Sequence, residues 1–163
     1  MHKQLIVPVL VGVVVVVAAA FGILYMQRGA HIELTGSILK IRTAPMDDNS
    51  AVAVIDFRFA NPADYAFVVR KVEVLLEDAQ GNRYQSTVVS EVDARRLFQY
   101  YPLLGQKYND SLLTRDKIAP RSTEDRMIAA RFEMPEAKIE ARKRFIVRIE
   151  DVDGPISEIA EKK

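Results

Sequence analysis

Residues 55–78 read IDFRFANPADYAFVVRKVEVLLED, two runs of strand-forming residues interrupted by Asn61-Pro62. Before the break, Ala51, Ala53, Ile55, Phe57 and Phe59 share one parity while Asp56 and Arg58 take the other. That period of two is the signature of a strand with one face turned to a core. After it, Val72, Val74 and Leu76 alternate with Lys71, Glu73 and Glu77. Pro62 has no N–H to give a ladder, and it drives Asn61 toward extended backbone. Pairing therefore stops, the chain turns, and Tyr65 with Phe67 is expected to bring it back into the core. The break reads as a corner between two strands of a sandwich, with no catalytic part.

The same pattern extends outward in both directions. Ile32, Leu34 and Ile38 share a parity, with Gly36 as a candidate bulge. Residues 44–50, APMDDNS, read as a loop, and residues 78–82, DAQGN, as a hairpin turn with Gly81 free to take positive φ. Residues 83–89 return as a strand. Ser90, with Asp93 three residues on, signals a helix start; Val92, Leu97, Phe98 and Tyr101 are expected on one side of a short helix ending before Pro102. A turn at 118–122 precedes a strand with Ile128, Ala130, Phe132 and Met134 inward, and a short helix follows Pro135. The last strand spans 144–150, closed by residues 151–155, and 156–163 is expected as a charged, frayed tail. Six or seven short strands with two brief helices describe an antiparallel β-sandwich.

Ahead of this domain lies LIVPVLVGVVVVVAAAFGILYM, residues 5–26, without a charge and long enough at 1.5 Å per residue to cross a hydrocarbon core of about 30 Å. Ala18-Ala19-Ala20 offers small residues for signal cleavage, but the apolar run continues to Met26, so a retained signal anchor is expected. Lys3 on a very short tail points to a cytoplasmic N-terminus and a domain held outside the cytoplasm, at the inner (plasma) membrane. The expected organisation is a tail at 1–4, a transmembrane segment at 5–26, a linker at 27–31, a sandwich at 32–155 with an insertion at 90–118, and the charged end at 156–163.

The strand ending in Asn61-Pro62, followed by Val69, Val72, Val74 and Leu76 and then the Gly81 turn, resembles the water-stress-and-hypersensitive-response domain of type-two late-embryogenesis-abundant proteins. The likeness covers roughly residues 50–81, and the 90–118 insertion departs from it. It implies an immunoglobulin-like or fibronectin-type-III-like sandwich behind a membrane anchor, with a protective or interaction role and no catalytic residues.

The residue inventory narrows the chemistry. The only histidines, His2 and His31, flank the apolar segment, and there is no cysteine. Imidazole- and thiol-dependent catalysis, disulfides and the usual zinc ligand sets are thereby excluded from the domain. No phosphate-cradling glycine loop occurs. With Lys3 and Arg28 set aside, 21 of the 23 basic residues remain against 22 acidic ones, interspersed, which gives no basic footprint for nucleic acid. Asp47-Asp48-Asn49 and Asp151-x-Asp153-Gly154 are oxygen-rich turns short of a calcium ligand set. Glu91, Asp93, Asp110 and Asp116 are the carboxylates a hydrolase would draw on.

The region LFQYYPLLGQKYNDSLL, residues 97–113, concentrates three tyrosines and a phenylalanine. It reads either as a satellite core folded over the sandwich or as a contact surface. Phe98, Tyr100, Tyr101 and Tyr108 are the candidate contact residues. The expected function is a membrane-anchored, non-enzymatic module for protein binding or envelope assembly, without a cofactor, whose partner is another envelope protein. A stress-protective domain without a defined site and a carboxylate hydrolase are the competing readings.

Overall fold

The computed structural model describes residues 12–22 and 33–162. The chain divides into two units, Met1–Ile32 and Glu33–Lys163. In the first, residues 12–22 form a helix, α1, with exposed valines at 13–17. Among the described residues no helix is long and apolar enough to cross a membrane. Both ends of the expected 5–26 segment lie outside the described residues, as do the 1–4 tail and the 27–31 linker.

The second unit is built of antiparallel strands, as the alternation requires. One sheet runs in the order β1 (Thr35–Asp47), β2 (Ser50–Ala60), β7 (Thr123–Phe132), β5 (Thr87–Val88). The other runs β4 (Arg83–Gln85), β3 (Phe67–Glu77), β8 (Arg144–Asp151), β9 (Ile156–Ala160), with β6 (Lys117–Ile118) beside the start of β3. Two short helices, α2 (Glu91–Tyr100) and α3 (Glu136–Glu140), complete the unit. Phe57, Phe59, Phe67, Phe132 and Phe145 are fully buried. The Phe132 and Phe145 rings, one from each sheet, meet at 5.7 Å between centroids, which puts aromatic packing between the two layers.

Asn61 does more than stop a strand. It is 1% exposed; its N–H donates to the Ser122 carbonyl at 2.9 Å, and Nδ2 donates to the carbonyls of Tyr65 at 2.9 Å and Ala119 at 3.2 Å. Its Oδ1 accepts from the Ala63 N–H at 3.1 Å. The corner is thus a buried hydrogen-bond hub that ties the β2–β3 loop to the chain entering β7. Phe67 enters the core as expected, whereas Tyr65 stays 44% exposed, because the loop turns its ring to solvent.

Several boundaries differ from the sequence reading. The 44–50 loop is strand up to Asp47, with only residues 48 and 49 turning. Pro45 fits there because β1 is an edge strand and its register shifts between Pro45 and Asp47. The irregularities in β1 fall between Ile38 and Lys40 and between Pro45 and Asp47, not at Gly36. Gly36 pairs with Phe59, and a Cβ there would lie 2.3 Å from the Arg58 carbonyl oxygen, so this glycine permits close approach of backbones. Residues 83–89 are not one strand. Ser86 donates its N–H and hydroxyl to the Val74 carbonyl, and the chain then leaves β4 in one sheet for β5 in the other.

The C-terminal end, expected as a frayed tail, is strand β9. Ile159 and Ser157 are buried, and Ser157 Oγ accepts the Leu34 N–H at 2.8 Å. Arg142 donates to both carboxylate oxygens of Glu161 at 2.9 Å. Pairing with β8 and these specific bonds override the weak apolar pattern of the sequence there. The sandwich therefore extends past residue 155.

Candidate functional site

β2 is the strand that was expected to show one polar face, yet Ser50 to Phe57 are all buried. The outer face of its sheet is covered by the excursion between β5 and β6. Val52 and Val54 of β2, Ala44 of β1, and Met127 and Ala129 of β7 form a second apolar cluster with Ala94, Leu97 and Leu104 of the excursion. Small side chains at 44, 94 and 129 let α2 approach the sheet closely. The helix begins where its cap dictates: Ser90 Oγ accepts the Asp93 N–H at 3.2 Å. It ends at Tyr101, whose N–H donates to the Leu97 carbonyl before a 3-10 turn at Pro102–Leu104. Val92, expected on the inner side, is 52% exposed, since Ala94 and Leu97 define the buried stripe.

A charged pin holds the excursion down. Arg42 Nη2 donates to Asp56 Oδ2 at 2.6 Å, with the two side chains 8% and 4% exposed. Its Nη1 donates to the carbonyls of Leu104 and Gln106, each at 2.6 Å. Asn109 Nδ2 donates to the other Asp56 oxygen at 2.9 Å. The guanidinium also lies 5.0 Å from the Phe98 ring centroid and 5.4 Å from that of Tyr108, within cation–π range. One arginine from β1 therefore fixes the backbone at 104–106 and two aromatic side chains at once. Lys40 Nζ sits 5.2 Å from the Tyr108 centroid.

The four candidate contact residues divide. Phe98 and Tyr101 pack against the second cluster. Tyr100 and Tyr108 stay in solvent at 77% and 62% exposure, joined by Leu103 at 82%, which the sequence reading did not single out. Leu103 follows Pro102 in the 3-10 turn, and that tight turn throws it outward while Leu104 goes in. Arg42 and Asp56 were also missed. Their signal was present: Val52 and Val54 make AVAVI apolar on both parities, the mark of a strand covered on both faces.

The carboxylates of this region serve the scaffold. Asp93 accepts from the Ser90 hydroxyl, Asp110 from Lys107 at 3.1 Å, and Asp116 from the Leu113 N–H at 2.9 Å. Glu91 accepts the Ser111 N–H and pairs with Lys107 at 3.0 Å. Burial works to raise its carboxyl, but the hydrogen bonding from Ser111 and Lys107 outweighs this and holds it below the usual value. In the oxygen-rich turns, Asp47 accepts from the Asn49 N–H and the Ser50 hydroxyl, and Asp151 from the Asp153 N–H, the local bonding ordinary for such turns. A groove of about 270 Å³ opens between the sheets beside the excursion, lined by Val72, Val88, Val89, Leu112, Leu113 and Ile128 among others.

Compared with protein-family models, with curated proteins and with solved structures, the chain matches none.

Proposed function

We propose that this protein is a membrane-anchored, non-enzymatic binding module of the cell envelope. Its domain lies outside the cytoplasm and engages another envelope protein through the excursion over the β1–β2–β7–β5 sheet. The observation that carries the reading is the combination of a rigid base and an apolar crest. Tyr100, Leu103 and Tyr108 stand in solvent on backbone pinned by Arg42. Large side chains presented on pre-ordered backbone lose little entropy on binding, which is the economy of an interface anchor. The strand order, β1-β2-β7-β5 facing β4-β3-β8-β9, supports an immunoglobulin-like assignment of the sandwich. The charge-free run at 5–26 supports the anchor. The engagement of the excursion's acids in caps and ion pairs favours binding over hydrolysis.

Replacing Tyr100 and Leu103 together by alanine, both being exposed, is expected to leave the thermal midpoint close to that of the parent. It should abolish capture of crosslinked neighbours from membranes. Unchanged capture with an intact fold would overturn the assignment. Removing the whole excursion is a poorer test, since it uncovers Val52, Val54 and Ala129.

A further inference from the structure

The end of the domain where the chain enters β1 carries its own exposed apolar groups. β1 begins at Thr35, paired with Ala60 at the finish of β2. The same end holds the 61–66 loop, the 119–122 turn and the β8–β9 hairpin, whose Val152 N–H donates to the Val68 carbonyl. Tyr65, Val152 and Ile156 are 44%, 48% and 48% exposed there, with Pro62 and Pro120 in solvent beside them. Neither aromatic packing nor the excursion accounts for them.

We infer that this end of the sandwich rests in the interfacial layer of a phospholipid bilayer. The inference depends on the anchored reading above and adds the face that meets lipid. Three observations carry it. First, six residues, 27–32, separate the apolar segment from Glu33, and six residues reach at most about 20 Å. Second, Leu34 is buried and its N–H is bonded to Ser157 Oγ, so the tether is fixed to the domain at this end. Third, tyrosine and branched aliphatic side chains are the kind that settle at the headgroup boundary. The charges around this end are Glu33, Asp64, Asp116, Asp151 and Asp153 against Arg115, Lys117 and Arg121, and Arg121 pairs with Asp64. With acids in slight excess, attraction to anionic lipid is not the driving term. The contact should form on phosphatidylcholine and withstand salt.

The absence of native cysteine makes the test direct. The full chain, reconstituted in phosphatidylcholine vesicles, is labelled with an environment-sensitive dye at Val152→Cys, Ile156→Cys or, on the exposed hairpin at the opposite end, Gln80→Cys. Dyes at 152 and 156 are expected to shift to the blue and to be quenched by nitroxide headgroup lipids, in low and high salt alike; the dye at 80 is expected to do neither. Adding Tyr65→Ser and Val152→Asp to the Ile156→Cys chain should abolish both signals. A chain that floats with the vesicles while its 152 and 156 dyes remain as water-exposed as that at 80 overturns this inference alone. A blue shift without lipid quenching means that a second copy covers the end, and also overturns it. A chain that does not float with the vesicles overturns the anchored reading together with it.

Discussion

The inner core and the covered outer face of the β1–β2–β7–β5 sheet bury similar side chains by different means. Between the sheets the contacts are large and wholly apolar, five phenylalanines at or near zero exposure. Under the excursion they are smaller, with three alanines among the eight residues of the cluster, and the closure depends on Arg42 and Asp56. Loss of one large member of an apolar layer forfeits its transfer energy and leaves a cavity. Loss of one member of the pin leaves the other buried and unpaired. The inner layer therefore sets whether the domain folds, and the outer one sets whether the excursion stays in place.

The largest effect should come from the inner layer. Phe57→Ala is expected to destabilise the domain by about 3–5 kcal/mol, a large share of the roughly 5–15 kcal/mol that holds an ordinary domain folded. Urea melts followed by circular dichroism would measure it. A loss below that of any outer-layer variant would reverse the ranking of the two layers.

Next comes the pin. Asp56→Ala strands Arg42 and frees Asn109, at a cost of about 3 kcal/mol. The difference from Phe57→Ala lies in where the damage appears. Amide hydrogen exchange should accelerate across 90–116 while β3 and β8 stay protected. The double variant Arg42→Met, Asp56→Leu should recover part of the loss, since it avoids burying charge but leaves the Leu104 and Gln106 carbonyls without the Arg42 donor. Uniform acceleration in both sheets would show that the pin and the core are one cooperative layer.

What could be read in advance follows the same division. The Phe57/Phe59 alternation and the Asn61-Pro62 break are local signals, and they placed β2, the corner and the sandwich class. The capping pair Ser90 and Asp93 placed α2 for the same reason. The outer cluster needs residues from 44 to 129 to meet, so no window of sequence contains it. The strand switch at Ser86 and the bonding of Leu34 to Ser157 are also pairings between distant segments. Tyr100 and Tyr101 are chemically identical neighbours, and only the end of the helix decides that one is exposed and the other packed.

A neutral anchor sharpens the contrast with the charged pin. Asn61→Ala leaves the carbonyls of Tyr65 and Ala119 without that donor and the Ala63 N–H without its acceptor, at a cost of about 1–3 kcal/mol. Its signature should be exchange confined to the 61–66 and 119–122 segments, with the excursion unaffected. If Asn61→Ala cost more than Asp56→Ala, desolvated charge would not be what distinguishes the two anchors.

The smallest effect belongs to a carboxylate whose cations reach solvent. Glu77, 4% exposed, accepts from Lys143 at 2.8 Å and from Arg144 at 2.8 Å, and these bonds, Lys143 first, hold its carboxyl below the usual glutamate value. A carboxylate depressed in the folded state adds stability above its unfolded pKa, about 4.3, and surrenders it as the pH falls through that value toward the folded one. Glu77→Gln removes this increment while keeping the shape of the side chain. The variant should thus be less stable than the parent at pH 7, and the gap should close progressively below about pH 4. Lys143 and Arg144 are 55% and 37% exposed, so salt should shrink the neutral-pH gap, unlike the loss caused by Asp56→Ala. A gap independent of both pH and salt would mean that Glu77 acts through packing, and the line between screened and desolvated anchors would have to be drawn elsewhere.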